Sequence, residues 1–196
     1  ELSLRRRRLF AIWPSQDRPV VEARIRSHLF CIHEAQVTSA GEHYEMSEQT
    51  SIEWCDSTWS PWEGCTKVGP GCDHCYAEGM NRWLRKGENW GPGAPRRDYS
   101  DAHWRKPIAW NNAALSFELE HGRRRRVFCA SLADVFDNQV SVQWRVDLWA
   151  LIDATPKLDW LILTKRVGLV PAWIELHGWP SNARLGATMV NREEFV

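Results

Sequence analysis

The chain has no surplus of charge of either sign: 25 lysines and arginines stand against 25 aspartates and glutamates. That balance removes the bulk-charge argument for a nucleic-acid or anionic-membrane partner. Long hydrophobic runs are missing too. The longest, around LDWLILT, is far too short to span a bilayer as a helix. No secretory leader is legible, because Arg5 to Arg8 are followed only by the brief patch LFAIW. The expectation is a soluble, cytoplasmic protein with no membrane association. In a reducing compartment the six cysteines read as metal-binding, catalytic or buried thiols rather than disulfides. What the chain has in quantity is tryptophan, 13 among 196 residues, which points to large packed surfaces and by itself to no function.

Residues 1–45 differ from the rest. They carry four consecutive arginines, scattered apolar residues and no clean period. Met46 then opens a polar stretch leading into a strand-like segment. The expectation is a natural start at Met46, with the first 45 residues an upstream extension, a fusion scar or a gene-calling artefact. Cys31 and His33 lie there without partners and are weak ligand candidates.

Beyond Met46 strands and helices alternate. TSIEWCDSTWSP reads as extended, up to Pro61. CYAEGMNRWLRKG reads as a helix with Tyr76, Met80, Trp83 and Leu84 at three-and-four spacing and Gly87 as its stop. The Gly/Pro-rich residues 88–107 predict a long loop, and PIAWNNAALSFELEHG a short helix. RRVFCASLADVF opens as a strand. SVQWRVDLWALIDATP is an amphipathic helix with Val142, Val146, Trp149 and Ile152 on one face and Ser141 as its cap. LDWLILTKR predicts a strand buried on both faces. A shorter helix with Pro171 near its start and a strand over ARLGATMVN complete the series.

Strand–helix repetition predicts an α/β fold with parallel strands. Polar residues gather where the strands end: Ser131 and Asp134, then Thr164, Lys165 and Arg166, then Thr188 and Asn191. Parallel α/β folds place their chemistry at that edge. Four strands make an incomplete barrel or sheet, so further strand–helix units are expected beyond the C-terminal end.

The loop after the first strand, EGCTKVGPGCDHCYAE, sets Cys65, Cys72 and Cys75 on that same edge. Two residues between Cys72 and Cys75 let both sulfurs face one metal. Gly69, Pro70 and Gly71 shape the turn back to Cys65 and leave N–H groups free to point at sulfur. A helix starting near Cys75 adds its positive end. Two metal readings stay open. Structural zinc wants four ligands, with Cys55 or His74 completing the set. A [4Fe–4S] cluster with three cysteine ligands leaves one iron open to a small molecule. Reduced thiols in a loop are the bland alternative. Cys129 and Cys55 read as strand residues, and Arg123 to Arg126 as a solvated turn. Arg96, Arg97, Arg105 and Lys106 flank Trp104, a basic–aromatic mixture that suits single-stranded nucleic acid.

The stretch IEWCDSTWSPWEGCTKVGPGCDHCYAE resembles the opening of a phage- and prophage-encoded three-cysteine-motif family, which itself resembles the radical S-adenosylmethionine enzymes. The similarity runs on through SLADVFD, WLILTKR and LGATMVN, from about Ile52 to Asn191. The resemblance implies a partial parallel (β/α) barrel over residues 46–196. It implies Cys65, Cys72 and Cys75 as ligands of a [4Fe–4S] cluster whose open iron chelates S-adenosylmethionine. Reductive cleavage would give a 5′-deoxyadenosyl radical acting on an unknown substrate. By strand-end position, Ser131 and Asp134 would meet the methionine or ribose part. Thr164, Lys165 and Arg166 would hold its carboxylate or the substrate, and Thr188 and Asn191 would line the far side. His74 stands where the radical enzymes usually carry an aromatic near the adenine, with Tyr76 one step beyond. Six residues separate the first two cysteines, where the commonest radical-enzyme motif has three. The competing expectation is a zinc-stabilised nucleic-acid-binding or structural module without catalysis.

Overall fold

The structure, a computed structural model, describes residues 50–188. The expectations for residues 1–45, for a start at Met46 and for Asn191 lie outside the described residues.

The chain enters through Asp56, whose carboxylate takes hydrogen bonds from Arg123 and Arg126. Strand β1 (Ser57–Trp59) follows. Cys55 precedes this strand rather than lying in it, and the extended segment is shorter than expected. After Pro61 the chain forms β2 (Trp62–Glu63), then the cysteine loop with a 3-10 turn over Pro70–Cys72. Helix α1 (Tyr76–Arg85) starts on Cys75 and stops at Lys86, with Lys86 and Gly87 both at positive φ. Its buried residues are Ala77 and Asn81, so the anticipated Tyr76–Met80–Trp83 face is not the core face; Trp83 is 78% exposed.

The predicted long loop 88–107 is a correction. It contains β3 (Arg97–Asp98), paired antiparallel with β2, and the first half of α2 (Asp101–Asn112). Pro107 sits inside α2 and cannot donate to the His103 carbonyl one turn back. The Trp59 indole N–H donates to that carbonyl instead, at 3.2 Å. A tertiary hydrogen bond thus replaces the missing helical one. The short α3 (Ala114–His121) follows after a break at Ala113.

Next come β4 (Arg125–Cys129), α4 (Val142–Ala154), β5 (Leu158–Thr164), a 3-10 turn (Val167–Leu169), α5 (Val170–His177) and β6 (Ala183–Ala187). Ser141 caps α4 by accepting the Gln143 N–H at 3.2 Å. Four strands form one parallel sheet in the order β1-β4-β5-β6, an α/β fold with helices in the crossovers.

One sheet face carries the core. Val127, Cys129, Leu158, Trp160 and Ile162 cluster with Val146, Trp149, Ile152 and Trp173. Val142, expected on the same helix face, is exposed. Tryptophans tie the layers edge to face: Trp59 meets Trp160 and Trp104, and Trp149 meets Trp173. The second sheet face corrects another expectation. Along β5 burial alternates, with Leu161 and Leu163 half-buried, because among the described residues no helix covers that side. Only Phe128 is closed off there, with Trp54 leaning on its ring.

The arginine run is not a solvated turn. Arg123 and Arg126 pair with Asp56, Arg124 with Asp159, and Arg125 lies over the Phe117 and Trp110 rings. Part of the basic–aromatic group around Trp104 is likewise committed. Trp104 is fully buried, Arg96 pairs with Asp137 and Arg97 with Glu63. Trp104 therefore offers no face to a base. No helix among the described residues is long and apolar enough to cross a membrane.

Candidate functional site

The carboxyl ends of β4, β5 and β6 open on a cavity of about 410 Å³. Cys65, Cys72 and Cys75 all line it, as do Tyr76, Ser131, Asp134, Thr164, Lys165, Arg166 and Thr188. The described strand-end residues singled out from the sequence thus converge with the three cysteines on one space.

Each cysteine is placed by a different local device. Cys65 follows Gly64, whose φ of +113° is open to glycine and strained for other residues. A Cβ at Gly64 would lie 2.3 Å from the Asn89 carbonyl oxygen, so that position also needs the missing side chain. Cys65 is half-buried, and its carbonyl accepts the Gly91 N–H at 2.9 Å. Cys72 ends the 3-10 turn and is buried. Cys75 is the N-cap of α1, at the helix's positive end. Cys55, Cys65, Cys72, Cys75 and Cys129 are free thiols. Cys129 is fully buried in β4, and burial pushes its thiol up, as expected of a core residue. Burial also pushes Cys55 up, to about 11.

Behind the cysteines lies a buried charge network that sequence reading only half identified. Asp134 accepts from the Phe136 N–H, the Thr164 hydroxyl and the Lys165 N–H, and pairs with Arg166 at 3.2 Å. Both of its oxygens are therefore taken up by the protein, which makes it an organiser of the strand ends rather than a free ligand group. Arg166 is committed in the same way. It donates to Cys65 Sγ at 3.3 Å and to the Thr66 carbonyl at 2.6 Å, and it approaches Asp137 at 3.6 Å. Burial pushes the Cys65 thiol up, while the Arg166 guanidinium pulls it the other way. Asp137 was not singled out from the sequence, and Arg96 was read only as one of the basic residues around Trp104: they form a fully buried pair at 2.7 Å, and Arg96 also reaches Thr66 Oγ1 at 2.6 Å. No local pattern links two residues 41 positions apart.

What remains directed at the cavity is a smaller set. Tyr76 is largely exposed and donates through its hydroxyl to the Ser131 carbonyl. Ser131 Oγ lies 3.3 Å from Ser60 Oγ. Lys165 is half-buried, and its ammonium has no carboxylate partner among the described residues. Thr188 is tied to the Thr164 carbonyl through its N–H. Ile52, Trp54, Phe128 and Leu163 give the cavity an apolar wall.

Among the described residues no three His, Cys, Asp or Glu side chains stand close enough to hold a single metal ion. That bears differently on the two metals. A mononuclear zinc needs its ligands around one point. A [4Fe–4S] cluster bonds each cysteine to a different iron, so its sulfurs stand around a volume rather than a point. Cys65, Cys72 and Cys75 line one cavity without meeting at a single point. His74 lies inside the Cys72–Cys75 pair and is exposed.

A parallel α/β protein with three cysteines converging on a cavity at the sheet's carboxyl edge is the class these features define. The chain belongs to the family described as protein of unknown function (DUF5131), whose model matches residues 49–196. No curated protein and no solved structure matches the chain.

Proposed function

We propose that this chain is an iron–sulfur protein of radical S-adenosylmethionine type, with its four parallel strands part of a partial (β/α) barrel. The observation that carries the reading is the meeting of Cys65, Cys72 and Cys75 with the strand-end polar residues around one cavity. Three cysteine ligands rather than four would leave one iron of a cluster open to a small molecule. When bound, such a cluster supplies an electron to S-adenosylmethionine, whose cleavage yields a 5′-deoxyadenosyl radical.

The chain's own residues divide the remaining work. Lys165 is the group suited to the carboxylate of S-adenosylmethionine, since its ammonium is unpaired among the described residues while Arg166 is committed to Cys65 and the aspartates. Ser131 and Thr188 offer hydroxyls on two sides of the cavity, and Tyr76 rims it. Ile52, Trp54, Phe128 and Leu163 give an apolar surface on which the adenosyl part could pack. A cytoplasmic setting, where thiols stay reduced, suits this donor set. The test is anaerobic incubation of the reconstituted protein with S-adenosylmethionine and a strong reductant. Formation of 5′-deoxyadenosine is the expected outcome. A cluster-loaded protein that forms none would reduce the reading to cluster binding without radical chemistry.

A further inference from the structure

Among the described residues, one of the three cavity cysteines has a charged side chain on its sulfur. Arg166 Nη1 stands 3.3 Å from Cys65 Sγ, and no side-chain hydrogen bond to the Cys72 or Cys75 sulfur is found among the described residues. We propose that Arg166 is a positioning residue that sets the reduction potential of the cluster through the Cys65 sulfur. This rests on the cluster reading given above.

The guanidinium cannot swing away. Its side chain is 7% exposed, Nη2 donates to the Thr66 carbonyl at 2.6 Å, and Asp134 and Asp137 hold it at 3.2 and 3.6 Å. Asp137 is fixed in turn by Arg96 at 2.7 Å, and Arg96 grips the Thr66 hydroxyl. Two arginines thus clamp the Cys65–Thr66 dipeptide, one by the sulfur and backbone, the other by the neighbouring side chain. The planar fork explains why arginine stands here. One guanidinium serves a sulfur, a carbonyl and two carboxylates at once, which an ammonium on a flexible stem cannot reproduce.

Reducing a cluster by one electron adds negative charge. A hydrogen bond and a positive group at a ligating sulfur favour the charged form and so raise the potential. Because the donor sits at Cys65, the effect would act through the cysteine ligand that Cys65 would supply. The network also explains why two aspartates lie so near a site that gathers negative charge. Their carboxylates pair with Arg166 and so orient the cation at the Cys65 sulfur.

The experiment is a spectroelectrochemical titration of the reconstituted full chain, wild type beside Arg166→Lys and Arg166→Gln. Both variants should hold iron and sulfide like the wild type. The cluster of Arg166→Gln should reduce at a lower potential, with Arg166→Lys between the two. A second readout needs no variant. With 15N-guanidino arginine, electron–nuclear double resonance of the reduced wild-type cluster should detect a weakly coupled nitrogen, and Arg166→Lys should abolish it. A cluster-bearing wild type without that coupling, or an Arg166→Gln cluster at the wild-type potential, overturns this proposal alone. A wild type that takes up no cluster overturns the proposed function and this inference with it.

Discussion

Replacing Arg96 by methionine is the severest single test of the buried network. Arg96 Nε stands 2.7 Å from Asp137 Oδ2, with the two side chains 2% and 0% exposed. Arg96 also donates to the Ala94 carbonyl at 2.8 Å, to the Asn89 carbonyl at 3.3 Å and to Thr66 Oγ1 at 2.6 Å. Methionine keeps the stem and loses every one of these. Removing one partner of a buried ion pair costs roughly 3–5 kcal/mol, because the other charge stays desolvated. Asp137 retains Arg166 at 3.6 Å, which places the expectation at the lower end, about 3 kcal/mol. For a chain of this size that lowers the thermal midpoint by roughly 6–12 °C. Urea unfolding followed by tryptophan fluorescence measures it, with an unchanged m-value as the check that the denatured state is the same. Lys67→Met is the control. Its partner Glu78 is 3.4 Å away, but Lys67 is half-exposed, so the loss should stay below about 1 kcal/mol. If Arg96→Met falls within about 1 kcal/mol of the wild type, the account of a clamped cysteine loop is wrong.

Other outcomes follow from single sites. Gly64→Ala combines a positive φ with a Cβ driven against the Asn89 carbonyl, so it should lower the urea midpoint sharply; a midpoint like the wild type would contradict the close approach. Cys72→Ala should abolish the iron content of reconstituted protein while Cys129→Ala retains it, since Cys72 lines the cavity and Cys129 is buried in the sheet. Equal iron in both would sink the ligand assignment. His103 is stacked on Trp59 and Tyr99, and burial pulls it down to about 4 from 6.5. The unfolded chain then binds the extra proton between those values, so stability should fall as pH drops from 6.5 towards 4. His103→Gln should flatten that part of the curve, and a wild-type curve level across the window would refute the assignment.

The parts of the fold legible in sequence were those whose burial follows their own period. Helix α4 announced itself through Val146, Trp149 and Ile152 with Ser141 in front, and β5 through an apolar run. The site's edge was legible because strand ends in parallel sheets carry polar residues, and Ser131, Asp134, Thr164, Lys165, Arg166 and Thr188 do line the cavity. Helix α2 was not legible. Its Pro107 and polar flanks signal a loop, and it is held by a long-range contact, the Trp59 indole on the His103 carbonyl, beside the Trp104 indole on Asp98. No local pattern encodes the first of these. The hydrogen-bond partners of Asp134 and Arg166 were not legible for a related reason. Sequence spacing puts them at the site, but only the three-dimensional network shows their hydrogen-bonding capacity already spent on Thr164, Cys65 and each other. Arg96 and Asp137, 41 positions apart, meet only through the tertiary fold.

The central claim is that the three cysteines hold an iron–sulfur cluster, and one measurement meets it head on. The full chain is purified anaerobically, reconstituted with iron and sulfide, and analysed together for bound metal and for its visible absorption spectrum. The account expects a brown protein with a broad visible band and with iron and sulfide bound in equal amounts. A colourless protein holding a single zinc ion per chain would contradict it.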